Sequence, residues 1–151
     1  MVRIIRTNSN HIDFIHLVEQ LDAELTVKDG KLHDFYDQYN KIENIKYAVI
    51  AYYDGKPVGC GAIKNYAPGV MEVKRMFVPV SHRGKGIASK VLAELENWCL
   101  DLGNNKLILE TGKGQPEAIR FYGKNKFRSI PNFGQYAGVE NSVCFEKLVS
   151  L

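Results

Sequence analysis

The segment Val80-Ser81-His82-Arg83-Gly84-Lys85-Gly86-Ile87-Ala88 joins an apolar, strand-like run, Val70 to Val78, to an amphipathic helix that opens at Ile87. A strand that turns through glycines into a helix leaves several backbone N–H groups unpaired, all aimed one way at the positive end of the helix dipole. That is an anion cradle. Arg83 and Lys85 add positive charge, and Gly84 and Gly86 let a phosphate reach the backbone with no Cβ in the way. The expected guest is a di- or polyphosphate. The spacing fits neither G-x-x-x-x-G-K-[ST] nor G-x-G-x-x-G, because Ala88 and Ser89 follow Gly86. What stands here is Arg83-x-x-Gly86-x-Ala88.

Upstream of this turn, Ile45 to Tyr53 and Pro57 to Tyr66 are β-branched and aromatic runs joined by Asp54-Gly55, a two-residue hairpin signal. Pro68-Gly69 then turns into Val70 to Val78, which completes a three-stranded antiparallel meander. Downstream, the helix Gly86 to Leu102 carries Ile87, Val91, Leu95, Trp98 and Leu102 on one side, and Gly103 is its expected C-cap. Lys106 to Thr111 follows as a strand, so the chain makes a β-α-β crossover with parallel partners. Pro116 starts a helix through Asn125, and Phe127 to Ile130 and Ser142 to Lys147 read as two closing strands. At the N-terminus, Val2 to Arg6 is a short strand, and Asn10 with Asp13 is expected to cap a helix that buries Phe14, Val18, Leu21 and Leu25 and stops at Asp29-Gly30. A second short helix, Leu32 to Tyr39, places Leu32, Phe35 and Tyr39 on one face. The expectation is an α/β fold with a mixed sheet, in the order β-α-α-β-β-β-α-β-α-β-β.

A chain of 151 residues with 45% hydrophobic content supports one domain, residues 1–151, with a sizeable core. The longest apolar run, Tyr47 to Tyr53, is far below membrane-spanning length, and residues 1–20 lack a signal-peptide core. A soluble, cytoplasmic protein with no membrane partner is expected. The net charge of +3, with 20 Lys and Arg interleaved among 17 Asp and Glu, lacks the dense basic stripe of a nucleic-acid binder. Cys60, Cys99 and Cys144 are far apart and without metal-ligand spacing, so neither a disulfide framework nor a metal site is expected.

Three stretches in this order resemble the GCN5-related N-acetyltransferase (GNAT) superfamily. Arg83-x-x-Gly86-x-Ala88 resembles its R/Q-x-x-G-x-G/A pyrophosphate signature. Glu72-Val-Lys-Arg-Met-Phe-Val78 looks like its fourth strand, and Pro116-Glu-Ala-Ile-Arg-Phe-Tyr-Gly-Lys-Asn-Lys-Phe127 looks like its A-x-x-F/L-Y-x-x-x-G-F block, with Lys126 where many members have glycine. The resemblance implies the GNAT fold and acetyl-CoA as donor. It places the pyrophosphate on Arg83, Gly84, Lys85, Gly86, Ile87 and Ala88, and the pantetheine arm on the main chain of Met76, Phe77 and Val78. The N–H of Phe77 polarises the thioester carbonyl, and Glu117 and Phe121 fall on the coenzyme side. Tyr122 matches the general-acid tyrosine: a phenol stays protonated at neutral pH and can donate to a departing thiolate.

Glu72 is the candidate base; by strand alternation it shares a face with Lys74 and Met76, and an exposed residue paired with Lys74 or Arg75 is the alternative. Glu110 is the reserve candidate. Acceptor selection is expected in the two N-terminal helices and the loop 131–141, where Asp22, Glu24, Tyr36 and Tyr136 could hold a cationic amine. The implied activity is acetyl-CoA-dependent N-acetylation of a primary amine, on a small molecule or a peptide, by direct attack in a ternary complex. A monomer or a homodimer fits this reading. From another class, a non-catalytic acyl-CoA sensor or partner-binding domain needs the phosphate turn but not Tyr122.

Overall fold

The computed structural model describes residues 1–29 and 45–150. The strands are β1 (Val2–Thr7), β2 (Tyr47–Tyr53), β3 (Lys56–Ala67), β4 (Val70–Phe77), β5 (Lys106–Gly112), β6 (Arg128–Ile130) and β7 (Ser142–Leu148), and the helices are α1 (Ile12–Asp29), α2 (Ile87–Asp101) and α3 (Pro116–Lys124). One seven-stranded sheet runs in the order β1-β2-β3-β4-β5-β7-β6, with β4 and β5 parallel and every other neighbouring pair antiparallel. The helix expected over 32–39 lies outside the described residues.

Strand β2 is apolar on both faces because both faces are covered. Ala48 and Ile50 meet Phe14, Leu17, Val18 and Leu21 of α1, while Val49 and Ala51 join the cluster built with Val91, Leu92 and Leu95 of α2. Fully burying one such side chain stabilises the fold by roughly 1.5–3 kcal/mol, so the two helical layers grip the meander from either side. Helix α2 buries Ile87, Val91, Leu92, Leu95 and Cys99. The expected face is therefore rotated at its end: Leu102 is 37% exposed because it follows the last helical residue, Asp101. Trp98 is half-buried, edge-on to Tyr47 at 5.3 Å with the Arg6 guanidinium over its ring.

The start of α1 is held differently from the expectation. His11 Nδ1 accepts the Asp13 N–H at 3.1 Å, and Asp13 instead accepts the Tyr52 hydroxyl at 2.6 Å. Thus His11 takes the capping position and Asp13 ties α1 to the sheet. Cys60, Cys99 and Cys144 are buried free thiols; burial pushes Cys60 up to about 12 and Cys99 up to about 11. No helix among the described residues is long and apolar enough to cross a membrane.

The sheet opens at its centre. Strands β4 and β5 pair only from Val70 with Lys106 to Glu72 with Ile108, whereas β5 stays paired with β7 through Gly112. The departure has a local cause. Ala62 pairs with Lys74 and Cys60 with Phe77, so β4 advances three residues while β3 advances two. The extra residue is accommodated at Arg75, whose φ of +58° is left-handed. A bulge of this kind bends its strand and sharpens the local twist. It leaves a wedge between β4 and β5.

Candidate functional site

Two cavities meet in this wedge. The larger, about 380 Å³, runs from the end of β4 to the start of α2, lined by Phe77, Val78, Arg83, Gly86, Ala88 and Phe121 among others. Gly86 caps α2 at φ +77°, and the first backbone bond into the helix is from Lys90 N–H to the Gly86 carbonyl, 3.2 Å. Among the described residues, the amides of Gly84 to Ser89 donate to no backbone carbonyl. A Cβ built on Gly84 or Gly86 would meet nothing within 4 Å, so it would stand in the open space above these amides. The donor set and the room above it fit a pyrophosphate.

Arg83 has a different post from the expected one. Its Nε donates to the Val78 carbonyl at 2.7 Å, its Nη2 pairs with Glu24 Oε1 at 2.7 Å, and its guanidinium lies 5.8 Å from the centre of the Phe77 ring. It ties the turn to the end of β4 and to α1, and its charge is balanced by Glu24. The Val78 carbonyl is thereby taken, and Glu24 lines this larger cavity and is not among the residues lining the smaller one. Lys85 is exposed and outside the cavity lining, while exposed Glu117 and half-buried Phe121 line it from α3.

The smaller cavity, about 120 Å³, opens between the splayed strands and takes Glu72, Lys74 and Arg75 from β4, Glu110 from β5, and Tyr136 from the loop before β7. Glu72 and Lys74 share a face as alternation requires, and both are buried with Oε2 and Nζ 3.5 Å apart. Met76 does not join them. The extra residue at Arg75 turns it to the opposite face, where its sulfur lies beside Gly61, Val91 and Leu95. The same bulge brings Arg75 round to α1: its Nη1 donates to Asp22 Oδ1 at 2.6 Å, with the arginine side chain 3% exposed. Asp22 is therefore committed to Arg75. Tyr36 lies outside the described residues.

Across the wedge, Glu110 Oε2 accepts the Ser142 hydroxyl at 2.7 Å. Tyr136 is buried edge-on to Phe133 at 5.7 Å, and burial, with the charges of Glu110 and Glu72 adding to it, pushes its phenol well above the ordinary value. Burial lowers the Lys74 ammonium from its usual range, against the opposing pull of Glu72.

Tyr122 lines both cavities. Helix α3 carries it inward against Phe121, Phe127 and Phe145, and burial pushes its phenol well above 10. Its hydroxyl makes no hydrogen bond with the described residues. Its helix ends with Phe127 N–H on the Tyr122 carbonyl and Lys126 N–H on that of Gly123, and Lys126 takes φ +70°. The glycine-type turn is thus kept with a lysine in it.

Gln115 and Ala118 also line both cavities, and neither they nor Lys74 and Arg75 as wall residues were foreseeable from residue type. Gln115 carries one usable signal, its place directly before a helix-starting proline.

The acetyltransferase (GNAT) family model matches residues 14–127. The "IAA acetyltransferase" of Azospirillum brasilense is 38% identical over 100 residues, 66% of this chain and 65% of that protein, so the match spans just under two thirds of that relative's length. A solved Klebsiella pneumoniae structure, provisionally named an acyl-CoA N-acyltransferase, is similar over 99% of both chains with 28% identity and a TM-score of 0.83. The PaiA N-acetyltransferase of Thermoplasma acidophilum, solved in complex with coenzyme A, shares the fold: TM-score 0.73, 16% identity, covering 98% of this chain and 99% of that one.

Proposed function

We propose, because the chain belongs to the acetyltransferase (GNAT) family, that it is an acetyl-CoA-dependent N-acetyltransferase acting on the primary amine of a compact molecule or a short amino terminus. One observation carries this reading beyond family membership: Tyr122 stands in the wall shared by the phosphate-turn cavity and the charged cavity of the wedge. A coenzyme-binding sensor has use for the first cavity alone. The acceptor cavity, about 120 Å³, is small beside the several hundred Å³ of ordinary ligand pockets and favours a compact amine.

Acetyl-CoA supplies an acetyl thioester and a thiolate leaving group. The amides of residues 84–89 hold its pyrophosphate, and the main chain of Met76 and Phe77 with the Val78 N–H, free of β5, pairs with the pantetheine arm, the Val78 carbonyl being held by Arg83. An N–H of that stretch, assigned to Phe77, lies where it can stabilise charge growing on the carbonyl oxygen. Glu72 takes one proton from the acceptor's ammonium, directly or through water, with Glu110 as the second carboxylate in reach of the cavity. The freed nitrogen lone pair forms the new C–N bond as the C–S bond breaks, and Tyr122 passes its proton to the sulfur. The second proton leaving the nitrogen returns, through water, to the Tyr122 phenolate, and Glu72 gives up the first to solvent, so one proton is released per turnover. The burial that raises the Tyr122 phenol keeps it protonated throughout the working pH range.

The test is release of free coenzyme A thiol from acetyl-CoA with a panel of primary amines. Amine-dependent release, lost in Tyr122→Phe while acetyl-CoA binding persists, is the expected result. Tight coenzyme binding with no release on any amine would overturn the catalytic reading.

A further inference from the structure

We propose that the acceptor carries a carboxylate beside its amine, as a small α-amino acid does, and that Lys74 and Arg75 form the subsite that reads this anion. The inference rests on the acetyltransfer reading above and names the substrate class of the same site.

The bulge supplies the first observation. In a regular strand, consecutive side chains point to opposite faces. At Arg75 the backbone turns left-handed, φ +58°, and two consecutive cations, Lys74 and Arg75, both end up on the α1 side of the sheet, lining one cavity. A non-glycine residue in this conformation costs about 1–2 kcal/mol, and strain of this kind concentrates where function requires it. Both side chains are buried, Lys74 at 7% and Arg75 at 3% exposure.

The second observation is an unmet donor. Arg75 Nη1 is satisfied by Asp22, but Nε is buried and has no hydrogen-bond partner, the one such side-chain atom among the described residues. A buried donor left without an acceptor is costly, so it points to a partner that arrives with the ligand. The Nε edge of a guanidinium suits the planar, two-oxygen geometry of a carboxylate.

The third is the arrangement of charge. Glu72, Glu110, Lys74 and Arg75 line this cavity; Lys74 lies 3.5 Å from Glu72, and Arg75 lies 2.6 Å from Asp22 of α1, so the wall carries both signs in close pairs. Glu110, held by Ser142 and near Tyr136, faces the wedge from β5, while the two cations line it from β4. In a cavity of about 120 Å³, a ligand with a single charge of either sign meets like charge as well as unlike. A zwitterion satisfies both signs at once, its ammonium toward Glu110 of β5 and its carboxylate toward Lys74 and Arg75 of β4.

The experiment compares each of the common α-amino acids with its α-amide and its decarboxylated amine, with kcat/KM referred to the free-amine concentration at each pH. Thiol release is read alongside the melting temperature of the coenzyme-A-saturated protein. At least one small amino acid should exceed its amide by about tenfold or more, the loss expected for a charge-assisted hydrogen bond. In Lys74→Met that ratio should fall toward one, whatever the change in absolute rate that follows from losing the partner of Glu72. Amides or decarboxylated amines that match or exceed every acid would overturn the inference and leave acetyltransfer intact. Conversely, thermal protection by the acid over the amide with no release on any amine would sink acetyltransfer and keep the carboxylate subsite. Should Lys74→Met not fold, the acid-to-amide ratio in the native protein decides alone.

Discussion

The two cavities that meet at Tyr122 are made of different material. The cavity at the phosphate turn is a backbone construction, with amides at the start of α2 that donate to no backbone carbonyl and a strand edge that β5 has left. The cavity of the wedge is a side-chain construction, with Glu72, Lys74 and Arg75 set by the bulged β4, Glu110 by β5 and Tyr136 by a loop. The difference teaches where each is vulnerable. A backbone cradle depends on the absence of side chains at a few places and tolerates change elsewhere, whereas a charged cavity depends on each group keeping its partner.

The sharpest break is expected at the junction. Tyr122→Phe should lower kcat by about a hundredfold or more, the usual contribution of a general acid, while the acetyl-CoA dissociation constant measured by calorimetry stays within a few-fold. The raised phenol also fixes a pH outcome: no falling limb below pH 10 should belong to this group. A limb in that range that vanishes in the Phe variant would remove Tyr122 as the acid.

Next in size is a contrast inside the cradle. Gly86→Val places a Cβ in open space above the amides at φ +77°, a conformation costing a non-glycine residue about 1–2 kcal/mol before any phosphate is displaced. That cost falls on stability; coenzyme affinity should fall sharply because the side chain takes the space of the phosphates, whereas Lys85→Ala, outside the cavity lining, should change it only a few-fold. Equal losses in the two variants would mean that side-chain charge, not the backbone, holds the phosphates.

Smaller effects are expected at the closed end of the wedge, away from both cavities. Glu146 pairs with Ile108 across β5 and β7, bonds the Arg128 guanidinium, and lies 3.1 Å from Lys106; the Arg128 bond first, then Lys106, holds its carboxyl below the usual range. A lowered carboxyl stabilises the fold above the unfolded-state pKa, and that contribution is lost as pH falls through the folded value. Glu146→Gln should cost on the order of 1 kcal/mol at pH 7 in urea melts, begin to converge with the native protein only as pH falls below the unfolded carboxylate value of about 4.3, and leave kcat unchanged. The smallest change is a gain: Lys126→Gly relieves φ +70°, for an increase of about 1 kcal/mol in stability with turnover intact.

The backbone construction was legible in the sequence because its determinants are local. Glycines 84 and 86 between an apolar run and an amphipathic helix announce both the turn and its open amides, and the crossover that follows is required by the parallel pairing. The acceptor side was legible only as residue types. Alternation placed Glu72 and Lys74 together correctly and Met76 with them wrongly, since nothing in Val73-Lys-Arg-Met76 marks Arg75 as the residue that turns left-handed. Arg83, Asp22 and Glu24 show the same limit. Each reads as free charge in sequence, and each is held by a partner more than fifty positions away, Arg83 with Glu24 and Arg75 with Asp22.

The three buried thiols carry a practical consequence. With Cys60, Cys99 and Cys144 enclosed, and the first two pushed toward a protonated, unreactive form by burial, the folded protein offers little to a thiol-selective reagent. Under the proposed acetyl transfer, coenzyme A set free by turnover is then the reactive sulfhydryl in the tube. A chromogenic disulfide can follow the reaction continuously against a quiet background, and a rising protein-derived signal would itself report loss of the folded state.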